Sequence, residues 1–256
     1  MRDRWSCRAL RIIGVACCVM RLTDGEGEAV AAEVAAEEAR FPQLHAHRGG
    51  AGLAPENTLA AFRKAIELDV DAIEMDLHVT RDGQVVVMHD ETLDRTTNGR
   101  GRVQDLTLEE VKRYDAGTKY SPAFRGERIP TLREVISLVK SSGNTQVRLN
   151  LELKFHPDRP GMPADFEERA LAVLRETGFV GRVGILSFYH PSLAKIKRLE
   201  PGIKTGVLVG GRQAPTDPVA LVRQYQADCY LPNFRLLTPE TVATVHQAGI
   251  SIITWT

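Results

Sequence analysis

Cysteine is scarce where it would matter. Three of the four (Cys7, Cys17, Cys18) fall in the first 18 residues, and only Cys229 lies in the body of the chain. One body cysteine excludes an intradomain disulfide and a thiolate metal site there, and it leaves the compartment open. An excess of charge is also missing: Lys plus Arg and Asp plus Glu are 33 each. Nucleic-acid binders usually carry a basic surplus, so nucleic acid is not expected as a partner. Any phosphate chemistry must come from a local site and not from a global field. The apolar run Ile12–Met20 spans only nine residues and is followed at once by Arg21. That is too short to cross a bilayer, and no stable membrane span is expected. No fixed-period repeat is visible. The glycine-rich stretch Gly49-Gly50-Ala51-Gly52 lacks the Gly-Lys-Ser/Thr ending of a P-loop and the spacing of a dinucleotide fingerprint. Close backbone approach to a ligand, or a plain turn, are the readings that remain.

What is present describes a globular chain. Its 256 residues are 43% hydrophobic and 26% charged, with a mean hydropathy of -0.19. That length suits one α/β barrel. Residues 1–40 read differently from the rest. Arg2, Arg4, Arg8 and Arg11 precede the apolar run, like the charged and apolar regions of a secretory signal, and Ala29-Val30-Ala31 has the form of a cleavage site. A plain leader or an over-long gene start stays open beside export, and periplasmic or secreted placement is favoured over cytoplasmic. The barrel domain is expected over 41–256.

From residue 43 short apolar runs alternate with amphipathic stretches. The strand candidates are Gln43–His47, Ala72–Val79, Val147–Leu153, Val183–Ser187, Lys204–Val209, Asp228–Pro232 and Ser251–Trp255. Asn57 is placed to cap a helix running to about Leu68. Thr107-x-x-Glu110 and Thr131-x-x-Glu134 are capping boxes. Asp217-Pro218 and Thr238-Pro239 mark two more helix starts, and Gly249 sits where a terminating glycine belongs. Val85–Met88 follows Ala72–Val79 too closely for a parallel crossover, so the two form a hairpin. Seven βα-type strands then remain where a closed barrel needs eight. The expectation is a TIM (β/α)8 barrel lacking its last βα unit.

Reactive groups of such barrels sit at the C-terminal ends of strands. Those ends hold His47-Arg48-Gly49, Glu74-x-Asp76, His89-Asp90 and Glu152-x-Lys154. An i, i+2 spacing in a strand puts both side chains on one face. Taken singly, each pair has a bland explanation: a structural histidine, a solvated edge, a simple ion pair. Four together at strand ends argue for a site. Three converging carboxylates need a cation, and oxygen-only ligation favours Mg²⁺ or Ca²⁺.

The run His47-Arg48-Gly49-Gly50-Ala51-Gly52-Leu53-Ala54-Pro55-Glu56-Asn57-Thr58 resembles the opening signature of the glycerophosphodiester phosphodiesterase family. The likeness continues through Asp71-Ala72-Ile73-Glu74-Met75-Asp76, Val87-Met88-His89-Asp90, Leu93-Asp94-Arg95-Thr96-Thr97-Asn98-Gly99 and Leu149-Asn150-Leu151-Glu152-Leu153-Lys154. Ser187-Phe188 and Trp255-Thr256 fit later, weaker signatures. The resemblance implies hydrolysis of a glycerophosphodiester to glycerol 3-phosphate and an alcohol. By the same resemblance His47 and His89 match the general acid and base, and Glu74, Asp76 and Glu152 the metal ligands. Arg48 and Lys154 match phosphate-binding positions, and Trp255 is a further candidate for substrate contact. Two alternatives stand beside it: a related barrel phospholipase, which should expose an apolar rim that the sequence does not reveal, and an inactive truncated barrel.

Overall fold

The structure is a computed structural model and describes residues 42–154, 156–157, 162–211 and 214–255. The leader expected over 1–40 lies outside the described residues. The compact unit from Leu44 onward is built on one sheet.

Its elements alternate as the sequence pattern requires. They are β1 (His45–Ala46), α1 (Leu59–Glu67), β2 (Ala72–Val79), β3 (Val85–Val87), α2 (Leu108–Val111), α3 (Leu132–Ser141), β4 (Arg148–Leu153), α4 (Phe166–Glu176), β5 (Val183–Ser187), α5 (His190–Leu199), β6 (Lys204–Val209), α6 (Pro218–Gln224), β7 (Cys229–Pro232), α7 (Pro239–Gln247) and β8 (Ser251–Ile252). The path is β1-β2-β4-β5-β6-β7-β8, with every neighbour parallel, as in an α/β barrel. The expected hairpin is there: β3 runs antiparallel to β2 through Leu77↔Val87 and Val79↔Val85.

Alternation along the strands separates two faces. Ile73, Met75 and Leu77 of β2, with Leu149, Leu151 and Leu153 of β4, are fully or almost fully buried in the main core, beside Phe62 of α1 and Leu132, Val135 and Ile136 of α3. Each such side chain contributes roughly 1.5–3 kcal/mol on burial. The opposite face is apolar at Leu186, Leu208 and Leu231. The register sets Asp76 beside Glu152, and Glu152 beside Leu186. The polar part of this face therefore lies on β2 and β4.

Three expectations need correction. β1 is shorter than Gln43–His47, because it pairs with β2 only at Ala72 and Ile73. Further along β2 the same edge is taken by β3, so His47–Gly49 turn away as a 3-10 segment. β8 is shorter than Ser251–Trp255, with Trp255 held by a single parallel bridge to Asn233. Finally, α1 is capped by Thr58, whose hydroxyl accepts the Ala61 N–H. Asn57 lies in the left-handed region, at φ 57, and its side chain is used elsewhere. The other caps form as read: both capping boxes are complete, and Asp217 and Thr238 accept from Ala220 and Thr241.

Between β3 and α3 the chain builds a wall with its own small core of Val86, Met88, Leu93, Val103, Val111, Ala116 and Ile129. No helix among the described residues is long and apolar enough to cross a membrane.

Candidate active site

β2 and β4 deliver three carboxylates to one point. Glu74, Asp76 and Glu152 each offer an oxygen within 4.8 Å of the others. Asp76 is clamped from behind. Asn57 donates Nδ2–H to its Oδ2 at 2.8 Å and accepts the Asp76 backbone N–H at 3.4 Å. This is what the left-handed backbone at Asn57 achieves: it turns a would-be cap toward the strand. Lys154, reaching over from the end of β4, lies 2.6 Å from Glu152 Oε1 and 3.0 Å from Asp76 Oδ1.

The electrostatics follow from burial and crowding. Burial and the neighbouring Asp76 charge raise the Glu74 carboxyl well above its usual range. Burial pushes Glu152 up to about 7, against the pull of Lys154. Asp76 goes the other way: burial would raise it, but Lys154 and the Asn57 hydrogen bond outweigh that. Glu74 receives the Arg48 backbone N–H at 2.7 Å, and the His47 imidazole stands 3.9 Å away. Crowded buried carboxylates are costly without a cation. An all-oxygen set of three carboxylates fits a hard divalent ion.

The turn after β1 supplies the second component. Arg48 is a non-glycine residue at φ 49, followed by Gly49 at φ 78 and Gly50 at φ 96. Such strain in a non-glycine residue is kept where the surroundings over-determine it. Here Arg48 is held through its N–H to Glu74, its carbonyl to the Asn57 N–H, and its Nη1 to Glu56 at 3.0 Å. Its Nε is buried, 3.8 Å from Asp76 Oδ2, with no hydrogen-bond partner. Burial and the adjacent Arg48 charge lower the His47 imidazole.

The hairpin supplies the third. After β3 the Met88 N–H donates to the Asp76 carbonyl at 2.9 Å, which brings His89 alongside the carboxylate-bearing stretch of β2. His89 acts electrostatically on both His47 and Asp76. Its Nδ1 lies 2.7 Å from Asp90 Oδ1. His78, two residues beyond Asp76 on the same face, escaped the sequence reading. Burial lowers it to about 4, so it is neutral and donates Nε2–H to the His89 carbonyl at 3.2 Å. The Glu74-x-Asp76-x-His78 alternation was the available signal.

Seven of the eight expected site residues are thus joined by this network. Trp255 has other company. Its indole N–H donates to the Leu231 carbonyl, and its ring stands edge-on to Phe188 at 5.6 Å, on the β5–β7 side of the sheet.

A match to the Glycerophosphoryl diester phosphodiesterase family spans residues 47–256. The chain belongs to that family. It is a phosphoric diester hydrolase by that membership. It is 42% identical over 212 residues to a glycerophosphodiester phosphodiesterase of Caldanaerobacter subterraneus, covering 82% of this chain and 84% of the relative. A Bacillus subtilis glycerophosphodiester phosphodiesterase is 35% identical over 228 residues, covering 82% of this chain and 75% of its own. Among solved structures, an Oleispira antarctica phosphodiesterase in complex with the product sn-glycerol-3-phosphate superposes with a TM-score of 0.74 at 29% identity, covering 86% of each chain.

Proposed function

We propose that this site hydrolyses glycerophosphodiesters to sn-glycerol 3-phosphate and an alcohol, with a hard divalent ion, Mg²⁺ or Ca²⁺, on Glu74, Asp76 and Glu152. The observation that carries the reading is the gathering of three carboxylates beside the His47 imidazole and a buried Arg48 Nε that has no hydrogen-bond partner, with His89 near enough to bear on both His47 and Asp76. Likeness to a phosphodiesterase holding sn-glycerol-3-phosphate supports the substrate class.

When bound, the ion supplies charge stabilisation for the oxygens on phosphorus. The chain's own groups do the rest. Arg48 Nε–H and the Lys154 ammonium are donors for phosphate oxygens. One imidazole of the His47 and His89 pair takes a proton from an attacking water, whose oxygen bonds to phosphorus. The bond from phosphorus to the departing alcohol oxygen breaks, and the other imidazole protonates that oxygen. The test is release of glycerol 3-phosphate from glycerophosphocholine. Turnover should vanish in excess chelator and return with Mg²⁺ or Ca²⁺. Turnover unchanged by chelation would overturn the metal assignment.

A second reading rests on a specific observation. Leu53, Phe188 and Phe234, just past the ends of β1, β5 and β7, are about half exposed. Exposed apolar side chains after three strands suit a related phospholipase acting on lipid phosphodiesters. Comparing lysophosphatidylcholine with glycerophosphocholine as substrates separates the two. Export remains proposed from the leader's charge and apolar pattern, and cell fractionation tests it.

A further inference from the structure

Arg95 stands half-exposed on the wall between β3 and α3, yet all three of its guanidinium nitrogens donate hydrogen bonds. Nε donates to Asp90 Oδ2 at 2.7 Å and Nη2 to Asp90 Oδ1 at 2.9 Å. Nη1 donates to Glu56 Oε2 at 2.9 Å and Nη2 to Glu56 Oε1 at 2.6 Å. One planar group thus makes two forked contacts with two carboxylates, and the fork fixes orientation as well as distance. Beyond each carboxylate lies a site residue. Asp90 accepts from His89 Nδ1 at 2.7 Å. Glu56 accepts from Arg48 Nη1 at 3.0 Å. Arg95 rides on a tight turn in which the Thr97 N–H and hydroxyl both donate to the Leu93 carbonyl, and Leu93 and Thr97 are fully buried. The joint is therefore anchored at its root as well as at its head.

We propose that Arg95 is a positioning residue that sets His89 and Arg48 at once, through Asp90 and Glu56. This inference rests on the acid–base and phosphate-binding reading of the site. With the Asp90 carboxylate fixed in place by Arg95, His89 keeps its proton on Nδ1 and presents Nε2 to the reacting oxygen. Asp90 is kept well below the ordinary carboxylate range, mainly by the Arg95 hydrogen bonds. With Glu56 held in place, Arg48 has one nitrogen anchored and Nε left for phosphate. Arg95 is about half exposed, so solvent screening limits what its ion pairs add to stability. Its worth lies in orientation.

The test is steady-state kinetics on the full chain with glycerophosphocholine and saturating Mg²⁺. Arg95→Ala should lower kcat on the order of 10–100-fold, the usual scale for removing an orienting partner, and raise KM several-fold. Asp90→Asn should reproduce the kcat loss, and Glu56→Gln the KM rise. In a His89→Ala background, adding Arg95→Ala should leave kcat within about twofold and still raise KM, as expected of groups acting as a unit. An equal kcat loss with and without His89 would make the role merely structural and overturn the proposal. So would Arg95→Ala with both constants within about twofold of wild type. If His89→Ala itself turned over normally, the acid–base reading would be the part that failed. Imidazole ¹⁵N–¹H spectra give a readout independent of turnover. His89 should carry its proton on Nδ1 in the wild type and lose that preference in Arg95→Ala; an unchanged tautomer would also sink the proposal.

Discussion

Replacing Gly49 with alanine tests the turn that carries His47 and Arg48. Two costs can be read from the geometry. Gly49 sits at φ 78, so any L side chain is strained there, by about 1–2 kcal/mol. A Cβ would also stand 2.6 Å and 2.8 Å from two ring atoms of Phe62 and 3.0 Å from the Ala61 Cβ. Phe62 is 0% exposed and has nowhere to go, and overpacking of this kind costs about 1–3 kcal/mol. The sum is about 2–5 kcal/mol, and for a domain of this size each kcal/mol lowers Tm by about 2–4 °C. Gly49→Ala should therefore melt roughly 4–20 °C below wild type by differential scanning calorimetry. Two neighbours separate the contributions. Gly50 shares the positive φ but faces open space, so Gly50→Ala should show only the backbone cost. Gly52 has neither feature and should be nearly silent. If Gly49→Ala melted like Gly52→Ala, the turn would not be fixed as described, and the placement of Arg48 argued from it would fall.

His47→Ala and His89→Ala should each lower kcat by roughly 10²–10⁴-fold while leaving metal affinity, measured by calorimetry, nearly intact. Asn57→Gly keeps the backbone permissive but removes the clamp on Asp76, so metal affinity should fall roughly 10–100-fold; unchanged affinity would show that the clamp is idle. In chelated protein Glu152 is held protonated up to about 7 when folded, against its usual 4.5. The folded state then binds the extra proton in that window, so this residue costs stability increasingly as pH rises from about 4.5 to about 7. Glu152→Gln should accordingly gain on wild type across that window, by up to about 3 kcal/mol in urea titrations. His78, neutral with a value near 4, has the opposite slope, but it is common to both proteins and cancels in the difference. A gap that shrank with rising pH would contradict the assignment.

Most of the frame was legible because it is local. Val183–Ser187 and Lys204–Val209 are strands to the residue, and both Thr-x-x-Glu boxes close, because apolar runs and caps act over a few neighbours. The carboxylate group was legible too, since i, i+2 spacing on adjoining strands fixes a shared face. What escaped was set by distant partners. Asn57 abandons the cap for Asp76, 19 residues away, and Thr58 can take its place at no loss. β1 stops at Ala46 because β3 takes the edge further along β2, which no local pattern reveals. The Arg95–Glu56 contact spans 39 residues and joins two motifs that look independent in the sequence.

The division between the main core and the smaller core of the wall has a kinetic meaning. Glu74 and Asp76 ride on β2, whose other face is locked into the main core at Ile73, Met75 and Leu77. His89 and Arg95 lie along a segment resting on the separate cluster around Met88, Leu93 and Val111. Cooperative opening units tend to follow such divisions. Amide deuterium exchange at Glu74–Leu77 should proceed only through unfolding of the whole unit, whereas amides of the 89–102 segment should exchange through a smaller, more frequent opening. The cation seat would then be the stationary half of the site and the proton-handling wall the half that yields, so a product could depart past the wall while the carboxylates stay in register.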